Sequence, residues 1–284
     1  MAFFAANSLV ARLALRAGEI DAASFTAIRI ASGAAALALL AVWRGGGARA
    51  TGRHGSWRAA LALFSYATAF SFAYLSLNAG VGALALFAAV QITMLAIGIA
   101  RGELPSAAEW AGLALAFGGL IYLVSPGLAA PSPAGVLLMA VAGVAWGCYS
   151  LEAKGVRDPI AATAGNFARA VPLAALTLAA AVAAGRPHAT WSGAALAAAS
   201  GAIASGIGYA IWYTALKDLR TSGAAIVQLT VPVLTAAAGV LLLGERFTLR
   251  LALASCAILG GVALAVLGRV AGERTTGPGG DESS

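Results

Sequence analysis

Charge is scarce in this chain. Only 10% of its 284 residues are Asp, Glu, Lys or Arg, against about 25% in ordinary soluble domains. That rules out a water-exposed globule, whose surface needs more polar cover. Cysteine is scarcer still: Cys148 and Cys256 stand alone inside apolar runs. They offer neither a disulfide framework nor a metal site, and packing is the role left to them. Both histidines, His54 and His188, fall in polar breaks, and the acidic residues sit in such breaks or at the ends of runs. No carboxylate or imidazole remains at mid-membrane depth to relay a proton or act as general acid or base. The sequence therefore predicts no catalytic residue, no metal, no cofactor and no enzyme.

What fills the chain instead is apolar: 61% hydrophobic residues and a mean hydropathy of +0.87. Apolar runs of about twenty residues are long enough to cross a hydrocarbon core as helices. Reading them against the polar breaks predicts ten helices, over 2–17, 24–43, 59–77, 82–100, 107–124, 134–151, 162–184, 193–216, 223–243 and 250–268. The fold class is an all-α membrane protein, with the lipid bilayer as its solvent. The net charge of +7 does not point to nucleic acid, because the basic residues are spread over short loops rather than gathered in a patch.

The chain contains one stretch twice. Residues 223–267 hold two apolar runs joined by Gly244-Glu245-Arg246-Phe247-Thr248, and residues 83–124 repeat the arrangement. Gly102-Glu103 maps onto Gly244-Glu245 and Gly118-Gly119 onto Gly260-Gly261, both at an offset of 142. Tyr74 meets Tyr213 at 139 and Gln91 meets Pro232 at 141. Two five-helix units follow, 1–133 and 134–270, with 271–284 as a disordered cytoplasmic tail. By the same register helix 1 lacks its first turns. Five is odd, so the second unit enters the membrane from the opposite side, giving inverted-topology repeats of the kind that build transporters.

Loops after even-numbered helices, with the C-terminus, carry eleven Lys and Arg, and the opposite loops carry three, Arg186, Arg246 and Arg250. Both termini are therefore expected in the cytoplasm. Trp43, Trp57, Trp110 and Trp191 fall at helix ends, as interfacial anchors do. Gly143 and Gly147, and Gly201 with Ser205, have the small-residue spacing of closely packed helices.

The candidate site is built from uncharged polar and aromatic residues inside the runs. Tyr66, Phe70 and Tyr74 recur every fourth residue on helix 3, and Tyr209, Trp212 and Tyr213 form their counterpart on helix 8. Asn7 on helix 1, Trp146 and Tyr149 on helix 6, and Gln91 and Gln228 on helices 4 and 9 complete a substrate-binding set. Unpaired amides and hydroxyls are costly in lipid, so these residues should face a wet interior. Packing alone is the competing reading of such a stripe. Pro232, read as mid-helix, is the candidate gate. Arg29 and Arg169 lie within helices, and either a substrate carboxylate or the headgroup region accounts for them.

The doubled hairpin, Thr230-Val-Pro232 through Leu243-Gly244-Glu245-Arg246 to Gly260-Gly261, resembles that of the drug/metabolite transporter superfamily. The ten-helix EamA-type exporters are the nearest pattern, and among them the aromatic and neutral amino-acid exporters. Trp146-Gly147 and Phe25-Thr26-Ala27-Ile28-Arg29 extend the likeness to about residues 1–268. Gln91 departs from it, standing where the family has a proline. The resemblance implies a multi-pass protein of the bacterial inner membrane that exports neutral or aromatic amino acids or related metabolites by alternating access. Its substrate is a small molecule, held in a cavity between helices 1, 3, 4, 6, 8 and 9. A multidrug exporter of the same fold is the alternative, and a polytopic membrane enzyme a more distant one. Nothing in the sequence requires more than a monomer.

Overall fold

The computed structural model describes residues 1–44, 54–102, 105–125, 130–152, 156, 158–185, 187–216 and 227–275. Among these, the helices are α1 (Ala2–Arg16), α2 (Ala22–Trp43), α3 (Trp57–Ala73), α4 (Ala79–Ala100), α5 (Ala107–Val124), α6 (Pro133–Glu152) and α7 (Pro159–Ala183). Helix α8 starts as Trp191–Ala199, widens into a π-helical stretch over Ser200–Ile207 and resumes as Gly208–Leu216. Helices α9 (Thr230–Leu243) and α10 (Leu249–Thr275) follow. Six of them, α2, α4, α6, α7, α8 and α10, are long and apolar enough to cross a membrane, and α5 and α9 are shorter apolar helices. Large apolar side chains such as Trp43, Trp57, Trp191, Leu241 and Leu242 are exposed on the flanks, a surface suited to lipid rather than water.

Local chemistry sets most of the starts. Asp21 accepts from the N–H groups of Ala23 and Ser24 to begin α2, and Ser56 accepts from Ala59 to begin α3. Ser106 and Glu109 form a capping box at α5, and Asp158 with Pro159 opens α7. Helix α4 differs: its N-cap Asn78 makes no side-chain cap bond, and the Glu245 carboxylate takes the Ala79 N–H instead, at 2.9 and 3.0 Å. The repeated Gly-Glu pair explains how. Gly244 ends α9 in the left-handed region, φ 62°, where a Cβ would be strained. The chain then turns so that the Glu245 N–H bonds back to Gly239 O and its side chain faces α4. Gly102 turns the same way, φ 88°; its neighbour Glu103 lies outside the described residues.

Three boundaries differ from the sequence reading. Helix α3 stops at Ala73, with Tyr74 as its C-cap, because the chain bends through residues 74–76 toward α4. Residues 217–226 lie outside the described residues, and α9 begins at Thr230. Helix α10 runs on to Thr275, five residues into the expected tail; residues 276–284 are not described.

Glycine governs the closest approaches. A Cβ on Gly112 of α5 would collide with Gly261 O of α10, and one on Gly261 would lie 2.5 Å from Gly112 O. In each Gly-Gly pair only the second member packs: Gly119 and Gly261 are crowded, whereas Gly118 and Gly260 have open space. Gly143 and Gly147 press α6 onto α4, against Leu86 O and Thr93, so this spacing is helix packing.

The loops after odd-numbered helices gather at one end. There loop 17–21 clasps the segment before α8: the Asp21 N–H donates to His188 O at 2.8 Å and the Thr190 N–H to Glu19 O at 2.7 Å. The hydroxyls of Ser192 and Thr190 hold the Glu19 carboxyl below the usual carboxylate range. At the same end Arg12 and Arg16 of α1 meet the loop after α9, and Arg250 donates to Ser125 O. The opposite end carries His54 and Ser56, which contact Arg169 and Asn166 of α7.

Candidate functional site

The aromatic residues singled out in the sequence come together. On α3, Tyr74 packs on Phe70 at 4.8 Å between ring centroids, and Phe70 on Tyr66 at 5.4 Å. From Tyr66 the file crosses to Trp146 of α6 at 4.9 Å, then to Tyr209 of α8 at 4.8 Å and Tyr149 at 5.6 Å. Tyr149 in turn meets Tyr213 at 6.2 Å. Phe4 of α1 sits among Trp146, Tyr209 and Trp212 at 5.7–5.9 Å. The fourth-residue spacing on α3 and the equivalent positions on α8 thus form one continuous ring belt from both halves of the chain. Apart from the half-buried Phe4, the rings of the belt are buried, and edge-to-face and tilted contacts at these distances are favourable.

Polar groups thread this belt. Asn7 donates to the Tyr66 hydroxyl at 3.3 Å and accepts from Ser200 Oγ at 2.6 Å. Other polar atoms here are held more loosely. The hydroxyls of Tyr149, Tyr209 and Tyr213 and Ser150 Oγ fall short of full hydrogen-bond geometry but lie against polar neighbours, Tyr149 against Asn166, Thr163 and Tyr213, Tyr213 against Ser150, and Tyr209 against Tyr66 and Arg29. Trp212 Nε1 is buried without a partner, which is uncommon for a buried polar atom.

Arg29 was the residue least expected here. It is 2% exposed, its guanidinium lies 5.1 and 4.8 Å from the Tyr66 and Phe70 ring centres, and it bonds Ser205 Oγ and the Tyr66 hydroxyl. The headgroup alternative therefore fails for Arg29. Arg169, one repeat later, is only half-buried and satisfies backbone carbonyls, donating to His54 O and Gly165 O at the end of the bundle.

The other candidates stand apart from the rings. Gln91 is half-buried with its Nε2 unpartnered, and Gln228 is buried with its Oε1 unpartnered; neither bonds a belt residue among the described contacts. Pro232 is the third residue of α9, not mid-helix, so its missing N–H is one that a first turn leaves free anyway. A turn at Leu229 separates helical residues 227–228 from α9.

A pocket of about 530 Å³ lies at the odd-loop end, lined by Arg16, Ser76, Asn78, Glu245, Arg246 and Arg250 among others. Between pocket and belt sits a latch. Arg12 meets Glu245 at 3.4 Å and also donates to Tyr74 O and Asn78 Oδ1, at 2.9 and 3.2 Å. It ties α1, the end of α3, the start of α4 and the loop after α9.

Residues 133–267, the whole second set of five helices but the end of α10, match the EamA-like transporter family. An uncharacterized protein of Pseudomonas aeruginosa is 51% identical over 276 residues, 96% of this chain and 95% of that protein. The chain belongs to the EamA-like transporter family. A crystal structure with a TM-score of 0.65 and 22% identity covers 94% of this transporter and 97% of its own chain, and so shares the fold. As an EamA-like protein it is a multi-pass membrane transporter of small solutes. Sequence reasoning missed three contributors to this EamA-like interior: Phe4 carries no polar signal, Ser205 read only as a small packing residue, and Ser200 stands in no motif.

Proposed function

We propose that the protein exports neutral or aromatic amino acids across the bacterial inner membrane, by alternating access between two inverted five-helix halves. The observation that carries this reading is the ring belt with its loosely bonded polar atoms, which suits a medium-sized solute with an apolar body and polar ends. Rings that pack on one another can repack on a solute ring at similar cost. The unpartnered Gln228 Oε1 is of the right kind to accept from an ammonium group. The helix pairings support the two halves. α3 packs on α6 and α1 on α8; α4 packs on α6 and α1 on α9; α2 packs on α8 and α3 on α7. Renaming every helix by five exchanges the members of each couple and leaves α2 with α7, α4 with α9 and α5 with α10. That is the contact pattern of a pseudo-two-fold axis. The turn at Leu229 is the candidate flexing point, and a monomer holds the entire site.

The deciding experiment is flux in proteoliposomes. Radiolabelled phenylalanine should equilibrate faster than in protein-free vesicles, with no imposed proton or sodium gradient, because no mid-membrane carboxylate is available to couple one. Absence of phenylalanine and alanine flux would overturn the reading.

Orientation has its own test. Excess basic residues put the loops after even-numbered helices inside, so the odd-loop end with its pocket faces outward. Single cysteines at Ala130 and Pro187 should react with an impermeant thiol reagent in intact cells. Cysteines at Gly46 and Gly279 should be shielded, and labelling at Gly46 would reverse the topology.

A further inference from the structure

Among the described residues the deepest charge has no counter-ion. An ion pair joins Arg12 to Glu245, at the odd-loop end, but no described carboxylate bonds Arg29. Its Nε donates to Ser205 Oγ at 3.2 Å and its Nη2 to the Tyr66 hydroxyl at 3.1 Å, both neutral oxygens. Its Nη1 is buried. Ring faces on Tyr66 and Phe70 offset part of the charge, but a desolvated guanidinium is normally matched by an anion. The Tyr209 hydroxyl lies against the guanidinium and interacts with it, yet Nη1 reaches no acceptor at full hydrogen-bond geometry. A guanidinium edge beside a neutral, loosely placed hydroxyl is an arrangement that can take a planar two-oxygen anion. Trp212 Nε1 is a further buried donor without a partner in the same belt.

We infer that Arg29 is the carboxylate-binding residue of the transport site. The solute is then a carboxylic acid with an apolar or aromatic body, and an amine lacking the carboxylate is refused. This deepens the amino-acid reading above and rests on it for the location of the site. It also disfavours the multidrug alternative in its usual cationic form, since a lipophilic cation entering the belt meets a buried positive charge at its centre.

The test needs no variant to begin with. Purified wild-type protein in detergent or nanodiscs is melted with phenylalanine, 3-phenylpropionate, phenethylamine or phenylalaninamide, and affinities are taken from the concentration dependence of the shift. Phenylalanine and 3-phenylpropionate should stabilise, while phenethylamine and phenylalaninamide bind at least about 30-fold more weakly, the discrimination expected when one member of a buried charge pair is removed. Stabilisation by phenylpropionate but not phenylalanine upholds the role of Arg29 and sinks the amino-acid reading. Phenethylamine binding as tightly as phenylalanine overturns the role of Arg29 and leaves the aromatic site standing. No stabilisation by any of the four overturns both. In Arg29→Gln that still elutes as a monodisperse peak, the gap between phenylalanine and its amide should shrink to within about threefold. An undiminished gap there also overturns the inference, as does equal protection of the wild type by chloride, which would mark the site as one for an adventitious ion only.

Discussion

Glu245→Ala should destabilise the protein by about 3 kcal/mol, the lower end of what breaking a buried charge pair costs, because the Arg12–Glu245 separation of 3.4 Å is long. Two groups are stranded at once. Arg12, 7% exposed, keeps its bonds to Tyr74 O and Asn78 but loses the ion partner it has among the described residues. The first N–H of α4 loses its acceptor, and Asn78 makes no cap bond to replace it. Glu245→Gln keeps an oxygen for Ala79 and should cost roughly half as much. Arg12→Met combined with Glu245→Met removes both charges and should recover part of the loss. Thermal or denaturant unfolding in detergent measures all three. A loss below about 1 kcal/mol for Glu245→Ala would show that the latch is solvated and contributes little.

Trp146→Ala should have a larger effect still. The indole touches Phe4, Tyr66, Tyr149 and Tyr209 and is 4% exposed. Removing a buried ring of this size costs about 3–5 kcal/mol, and each ring pair adds about 0.5–1.5 kcal/mol beyond area. Trp146→Phe keeps most of the contacts and should stay folded, so it carries the functional comparison. If the belt binds substrate, the ratio of phenylalanine to alanine transport per unit of folded protein falls several-fold in Trp146→Phe and in Tyr213→Ala. If the rings only pack, folded protein drops and the ratio stays where it was; an unchanged ratio in both variants would end the assignment of the belt as the site.

The sequence was legible wherever periodicity or a local turn decides the outcome. Apolar run lengths placed all ten helices, and the spacing of Tyr66, Phe70 and Tyr74 placed them on one buried face. The Gly-Glu repeat was visible as a motif, but its work was not: the left-handed Gly244 aims Glu245 at a helix start 166 residues away in the chain. Long-range partners of that kind leave no local trace. Arg29 and Arg169 make the same point. They are the same residue type at nearly the same repeat position, yet one is enclosed by two rings and a serine while the other reaches carbonyls at the bundle end. What separates them is the neighbouring helices, which no window of sequence contains. Pro232 was misplaced for a related reason, since an apolar run does not record where within it a helix begins.

The wide stretch of α8 sets the phase of everything after it. A π turn holds more residues than an α turn, and each one inserted rotates the following helix by about 100°, the step of a single α-helical residue. Ser200 and Ser205 lie within the stretch, bonded to Asn7 and Arg29, and Tyr209, Trp212 and Tyr213 come directly after it. The same eight residues thus hold the belt's polar anchors and dial its second row of rings to face Trp146. A helix of even pitch through this point would aim Tyr209 at a different neighbour.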